Sequence, residues 1–226
     1  MNPHPKFLLV CYFVLLIFSL VSVISTAILD SDFEGRCLLY AKGNFSKIDS
    51  TIFYNLQEWG PRSVCGYIMF INVLSLIITV YYMGKSAILV CKSVDFTPFS
   101  IFMLLVGNVI IGFTTIVAAL LTSVGYSSFC SPLESSLNEQ CNQVDLSKLN
   151  AKYGIDASNF FNIFRVIEFS IWFSSIIWIG ATLLSFLKVY SYHKNNDLLQ
   201  SLAYEKDKLL SRQGSYTKIS YSDDIG

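Results

Sequence analysis

Apolar residues in this chain gather into four long runs, at positions 7–29, 66–90, 99–124 and 166–187, and do not alternate with polar ones. A helix needs roughly 20 apolar residues to cross the hydrocarbon core of a bilayer, and each run is long enough. The first and third runs contain no charged residue. The second has only Lys85, near its end, and the fourth only Glu168, near its start. Backbone N–H and C=O groups in hydrocarbon must find partners within the protein, so these runs are expected to be helices. Spanning strands would instead show about ten residues of alternating polarity.

The pattern predicts an all-α membrane protein, a bundle of four transmembrane helices. Its expected parts are an N-terminus (1–6), span 7–29, outer loop 30–65, span 66–90, inner loop 91–98, span 99–124, outer loop 125–165, span 166–187 and a tail (188–226). The first run also invites reading as a cleaved signal ending near Ser25-Thr26-Ala27. A signal's apolar region is usually about 7 to 15 residues, and this one is longer, which favours a retained span.

Composition agrees with the pattern. Of the 226 residues 53% are hydrophobic and only 14% charged, where soluble domains sit nearer a quarter charged. Sixteen basic residues balance sixteen acidic ones, so no basic face suited to nucleic acid is expected.

Three features predict which side is which. The sequon Asn44-Phe45-Ser46 falls in the first long loop and marks Asn44 as a glycosylation candidate. Cys37, Cys65, Cys130 and Cys141 fall in the two long loops, and disulfides persist outside the cytosol. Nine basic residues lie in or beside the N-terminus, short loop and tail, against seven in the long loops, a modest positive-inside bias. Together they place both termini in the cytoplasm. Four cysteines allow three pairings; the most economical joins Cys37 to Cys65 and Cys130 to Cys141, bracing one outer loop each. Cys11 is expected to pack within the first span, and Cys91, at the cytoplasmic end of the second, is a candidate for palmitoylation.

Each span carries small or polar residues at helical spacing. The clearest set is Asn108, Gly112, Thr115, Ala119 and Thr122, at steps of four, three, four and three. Such spacing keeps side chains on one face, and in lipid such faces let helices approach closely. The competing reading, a polar pathway, usually calls for intramembrane ionisable residues, and the central part of every span lacks them. Arg165 and Glu168, one turn apart at the outer end of the fourth span, could pair locally but lie too near the interface to form a gate.

Catalytic chemistry is hard to assemble. The two histidines, His4 and His193, fall in the cytoplasmic segments, which leaves no Ser-His-Asp set for the outer loops or spans. No zinc-type Cys/His cluster or phosphate-binding glycine loop occurs, so no cofactor and no enzymatic activity are expected. Asp30, Asp32 and Glu34 could bind calcium weakly but read better as solvating charge. In the tail, 196–211 reads as an amphipathic helix able to lie on the inner leaflet. It contains a stretch like an acidic dileucine sorting signal (Glu205, Leu209, Leu210), followed by a tyrosine-based one (Tyr216, Ile219). Both would be read by clathrin adaptors.

Several blocks are also familiar. Phe33-Glu34-Gly35-Arg36-Cys37-Leu38-Leu39 and Gln57-Glu58-Trp59-Gly60-Pro61 resemble the first outer loop of the transmembrane protein 179 family. Phe186-Leu187-Lys188-Val189-Tyr190, Asp197-Leu198-Leu199, Ser201-Leu202 and Glu205-Lys206 resemble that family's helix-four exit and tail. The resemblance implies a four-span protein with cytoplasmic ends and no established activity. The classical tetraspanin Cys-Cys-Gly block is absent. Cys37 and Cys65 stand 28 positions apart, wider than the close claudin pair, so claudins offer an analogy of layout only.

The expected function is thus that of a non-enzymatic multi-pass protein in the plasma membrane, endolysosomes or secretory vesicles. Its partners would be the lipid bilayer and other membrane proteins that it organises, assists or traffics. The alternative is a subunit of an oligomeric channel or transporter, for which Asn72 and Asn108 are the residues to test first.

Overall fold

The computed structural model describes residues 4–48, 51–92, 97–137, 141 and 159–223. Four helices dominate: α1 (His4–Asp32), α2 (Arg62–Lys92), α3 (Pro98–Leu137) and α4 (Phe160–Asp223). Each contains a stretch long and apolar enough to cross a membrane: Lys6–Asp32, Arg62–Lys92, Phe99–Pro132 and Phe160–Asn196. The helices outrun the apolar runs because a backbone hydrogen-bond ladder does not stop where polar side chains begin. Their ends are set by local chemistry. At the start of α3, Thr97 Oγ1 accepts from the Ser100 N–H at 3.3 Å, an N-cap with Pro98 in the first helical position.

Helix α4 packs between α1 and α3, and α1 also packs along α2, while the α2–α3 contact is slighter. Two apolar clusters fill the bundle. One, built on Leu8, Tyr12, Leu15, Ile101, Leu104 and Trp178, lies at the end holding both termini. The other lies at the opposite end, around Phe33, Phe129, Phe160 and Phe164. Between them the helices bury small polar residues, among them Ser19, Ser22, Asn72, Thr115 and Ser174. The outside is apolar: Phe70, Ile77, Phe113, Phe169 and Ile176 are all exposed. This inside-out distribution suits a lipid solvent, in which helix association relies on close packing and hydrogen bonds.

The predicted polar stripes are therefore packing faces. Tyr12 Oη donates to Asn108 Oδ1 at 3.1 Å, Asn108 Nδ2 donates to Ser185 Oγ at 3.1 Å, and Ser185 Oγ donates to the Ala181 carbonyl at 2.8 Å. Asn72 Nδ2 donates to Thr26 Oγ1 at 3.2 Å, and Trp178 Nε1 to Ser75 Oγ at 3.3 Å. Asn72 and Asn108, the residues on which a channel reading would lean, thus spend their amides on other helices.

Three features depart from the sequence expectation. The first outer loop contains a β-hairpin, with β1 (Cys37–Ile48) antiparallel to β2 (Thr51–Gly60), which an all-α reading does not include. Its register shifts between Cys37 and Gly43, so the strands pair regularly only farther out. Second, the tail helix expected at 196–211 is the continuation of α4, which runs 64 residues without a break. No proline follows Pro132, and only Gly180 and Gly214 lie inside α4 to weaken it. Third, Arg165 and Glu168 form no ion pair; the one salt bridge among the described residues joins Arg36 to Glu34. Glu168 is instead occupied by α3, accepting from Ser123 Oγ at 2.6 Å.

Candidate functional site

The most elaborately built surface is the cap at the hairpin end. It begins where α1 stops. The Gly35 N–H bonds the Asp30 carbonyl at 2.8 Å and the Glu34 N–H bonds the Ser31 carbonyl at 3.1 Å, the pair of bonds that defines a Schellman helix end. Glu34 (φ 51°) and Gly35 (φ 73°) both take the left-handed conformation, the second at no steric cost because glycine has no Cβ. The turn aims the chain back over the bundle.

Cys37 then bonds Cys65 near the start of α2, tying β1 to the helix that follows β2. Gly60 closes the same corner: a Cβ there would lie 1.7 Å from the Leu39 carbonyl oxygen, so only glycine lets the strands approach. Leu38, Leu39 and Ala41 are buried. Gly125 on α3 receives Leu39 and Tyr40 so tightly that a Cβ would meet both at 2.9 Å. The Tyr40 hydroxyl donates to the Leu121 carbonyl at 3.3 Å. A second brace, Cys130–Cys141, is supported by Glu134 Oε1 accepting from the Cys141 N–H at 3.1 Å. Below it Phe160 makes edge contacts with Phe33 and Phe129.

Under the cap lies a cavity of about 40 Å³, walled mainly by Leu29, Phe33, Leu38, Ile68, Phe164 and Ile167, with Asp30 and Arg36 at its edge. By volume it holds a few waters at most. The upper rim is charged and exposed. Arg36 lies over the Trp59 ring, 5.3 Å from its centroid, and 3.7 Å from Glu34; Glu58 and Arg62 stand exposed nearby. The rim thus presents an exposed guanidinium resting on a half-buried indole and flanked by a carboxylate.

The cap brings together both sequence blocks that resemble the first outer loop of the family. All four outer cysteines pair in the economical way expected. The backbone of Asn44 lies on β1 opposite Asn55. The side chains of Asn44 and of Glu205, Leu209, Leu210, Tyr216 and Ile219 lie outside the described ones, although the backbone of those five tail residues continues α4. Cys91 is exposed near the end of α2, and Cys11 is half-buried. Among the described residues no group of three or more His, Cys, Asp or Glu comes together to hold a metal. Sequence reasoning missed the roles of Tyr40 and Gly125, since nothing in the local pattern says which loop residues will meet which helix.

No solved structure matches the chain. The family model described as Transmembrane protein 179/179B Claudin domain matches residues 6–210, from the start of α1 into the extension of α4. The likeness to claudins is thus more than one of layout, despite the 28-residue separation of Cys37 and Cys65. This multi-pass, disulfide-braced bundle belongs to the transmembrane protein 179/179B claudin-domain family.

Proposed function

We propose that this is a non-enzymatic membrane protein that organises, assists or traffics other membrane proteins. Its hairpin cap faces the lumen or cell exterior, both termini are cytoplasmic, and it resides in the plasma membrane or in endolysosomal or secretory vesicles. The observation that carries this reading is the cap. Two disulfides, a left-handed turn and two glycine contacts hold an exposed Arg36–Glu34 pair, backed by the half-buried Trp59 ring, on the bundle. Rigid presentation lowers the ordering cost of binding a partner. The tail motif at Glu205, Leu209 and Leu210 supplies the sorting element, read by clathrin adaptors.

Proximity labelling from a tag placed after Gly226 tests both parts. Replacing Arg36 and Trp59 together by alanine is expected to change the labelled membrane proteins without moving the protein. Leu209→Ala with Leu210→Ala is expected to shift it from endosomes to the cell surface. An unchanged neighbour list in the cap variant would sink the recognition reading, and an unchanged distribution in the tail variant would sink the sorting one.

A further inference from the structure

Arg165 and Glu168 sit one turn apart on α4 at the hairpin end, close enough in sequence to pair, yet no ion pair joins them. Glu168 is held against α3: Ser123 Oγ donates to its Oε1 at 2.6 Å, and Trp172 Nε1 donates to the same Ser123 oxygen at 3.0 Å. The carboxylate is thereby oriented but not neutralised, since a hydroxyl brings no charge. Glu168 is only half-buried, and Arg165 is exposed. Both lie near the outer end of the fourth candidate span, at the edge of an apolar face, where a charge turns to water or to an opposite charge.

We propose that the partner is a second copy of this chain, docked through the outward face of α4 as a two-fold dimer in which Arg165 of each copy pairs with Glu168 of the other. A two-fold interface is self-complementary: if one residue meets another across the axis, the reverse contact follows. A cation and an anion on one patch, at nearly the same depth and unpaired within the chain, are what such an interface needs. The axial step between them is about 4.5 Å at helical rise, within reach of an arginine side chain. Below the charges, Phe169, Trp172, Ile176, Ile179 and Leu183 continue from Arg165 at steps of four, three, four, three and four, all exposed. That period matches the shallow left-handed crossing of parallel membrane helices. Gly180 leaves the flank of this stripe open, with nothing within 4 Å of where its Cβ would be.

The dimer needs no other protein, so its failure and that of the partner-organising reading are separable. The test uses the purified full chain in phosphatidylcholine vesicles at low density, with one fluorophore per chain and bleaching steps counted. Wild type is expected to bleach mostly in two steps, Arg165→Glu and Glu168→Arg each in one, and the double charge swap in two again. Intact Cys37–Cys65 in each variant, checked by thiol labelling, confirms folding. If a charge reversal does not fold, Ile176→Cys in the otherwise wild-type chain serves: it is expected to cross-link between copies, while Ile77→Cys on α2 does not. One-step bleaching by the wild type, singles that stay dimeric, a swap that does not restore the dimer, or equal cross-linking at both cysteines would overturn the proposal. A monomer whose bleaching is unaffected but whose stability follows headgroup charge would assign Arg165 and Glu168 to lipid instead.

Discussion

Tyr12 in α1 and Asn108 in α3 meet inside the bundle, the tyrosine hydroxyl 3.1 Å from the amide oxygen, although they stand 96 positions apart in the chain. Both are fully buried. Asn108→Ala leaves the Tyr12 hydroxyl and Ser185 without their partner, at an expected cost of about 1–3 kcal/mol. Tyr12→Phe removes the other half of the contact. The pair is expected to be coupled by about 0.6 kcal/mol, the average for hydrogen bonds between membrane helices, and by no more than about 1.7 kcal/mol, the largest. A double-mutant cycle on unfolding in detergent checks this; additive single costs would show that the bond contributes nothing of its own.

Two glycines of the cap are expected to respond very differently to alanine. At Gly60 the new methyl would lie 1.7 Å from the Leu39 carbonyl oxygen, and backbone must move, so Gly60→Ala should meet or exceed the usual overpacking cost of about 1–3 kcal/mol. At Gly35 the nearest atom is an Arg62 guanidinium nitrogen at an ordinary 3.7 Å, and only the φ of 73° opposes a side chain, a cost of about 1–2 kcal/mol. Thermal unfolding and thiol labelling of Cys37 and Cys65 separate the two. Equal effects would contradict the tight β1–β2 corner.

The disulfides should contribute unequally. Cys37–Cys65 closes a separation of 28 residues and Cys130–Cys141 one of 11. On chain entropy these correspond to about 3.6 and about 2.8 kcal/mol. Cys37→Ser with Cys65→Ser should therefore lower the melting temperature more than the Cys130, Cys141 double serine variant. The reverse order would place the cap's stability in the second loop.

Asn44 lies on β1, opposite Asn55 in the hairpin. With the cap outside the cytosol, the wild-type chain should lose mass on treatment with an N-glycosidase and Asn44→Gln should not. A wild-type chain that is insensitive in cells that glycosylate other sequons would count against that orientation.

Some of this molecule could be read directly from the chain. Runs of uncharged apolar residues force helices, because a backbone in lipid has no other way to satisfy its polar groups. Three- and four-residue spacing showed that Asn108, Thr115 and Thr122 share a face, since a helix fixes that geometry locally. Sidedness left three cysteine pairings open, and the most economical of them, one bridge per outer loop, is the one that forms. Other features needed the tertiary structure. Which partner Asn108 takes depends on how four helices cross, and no local pattern records that. The hairpin arises where the Cys37–Cys65 bridge, Gly60 and Gly125 bring β1 onto α3, a set of contacts among distant residues. Arg165 and Glu168 make the same point in reverse. Their spacing allowed a local pair, but it is Ser123, 45 positions away on another helix, that holds the carboxylate, a contact set by how α3 and α4 cross.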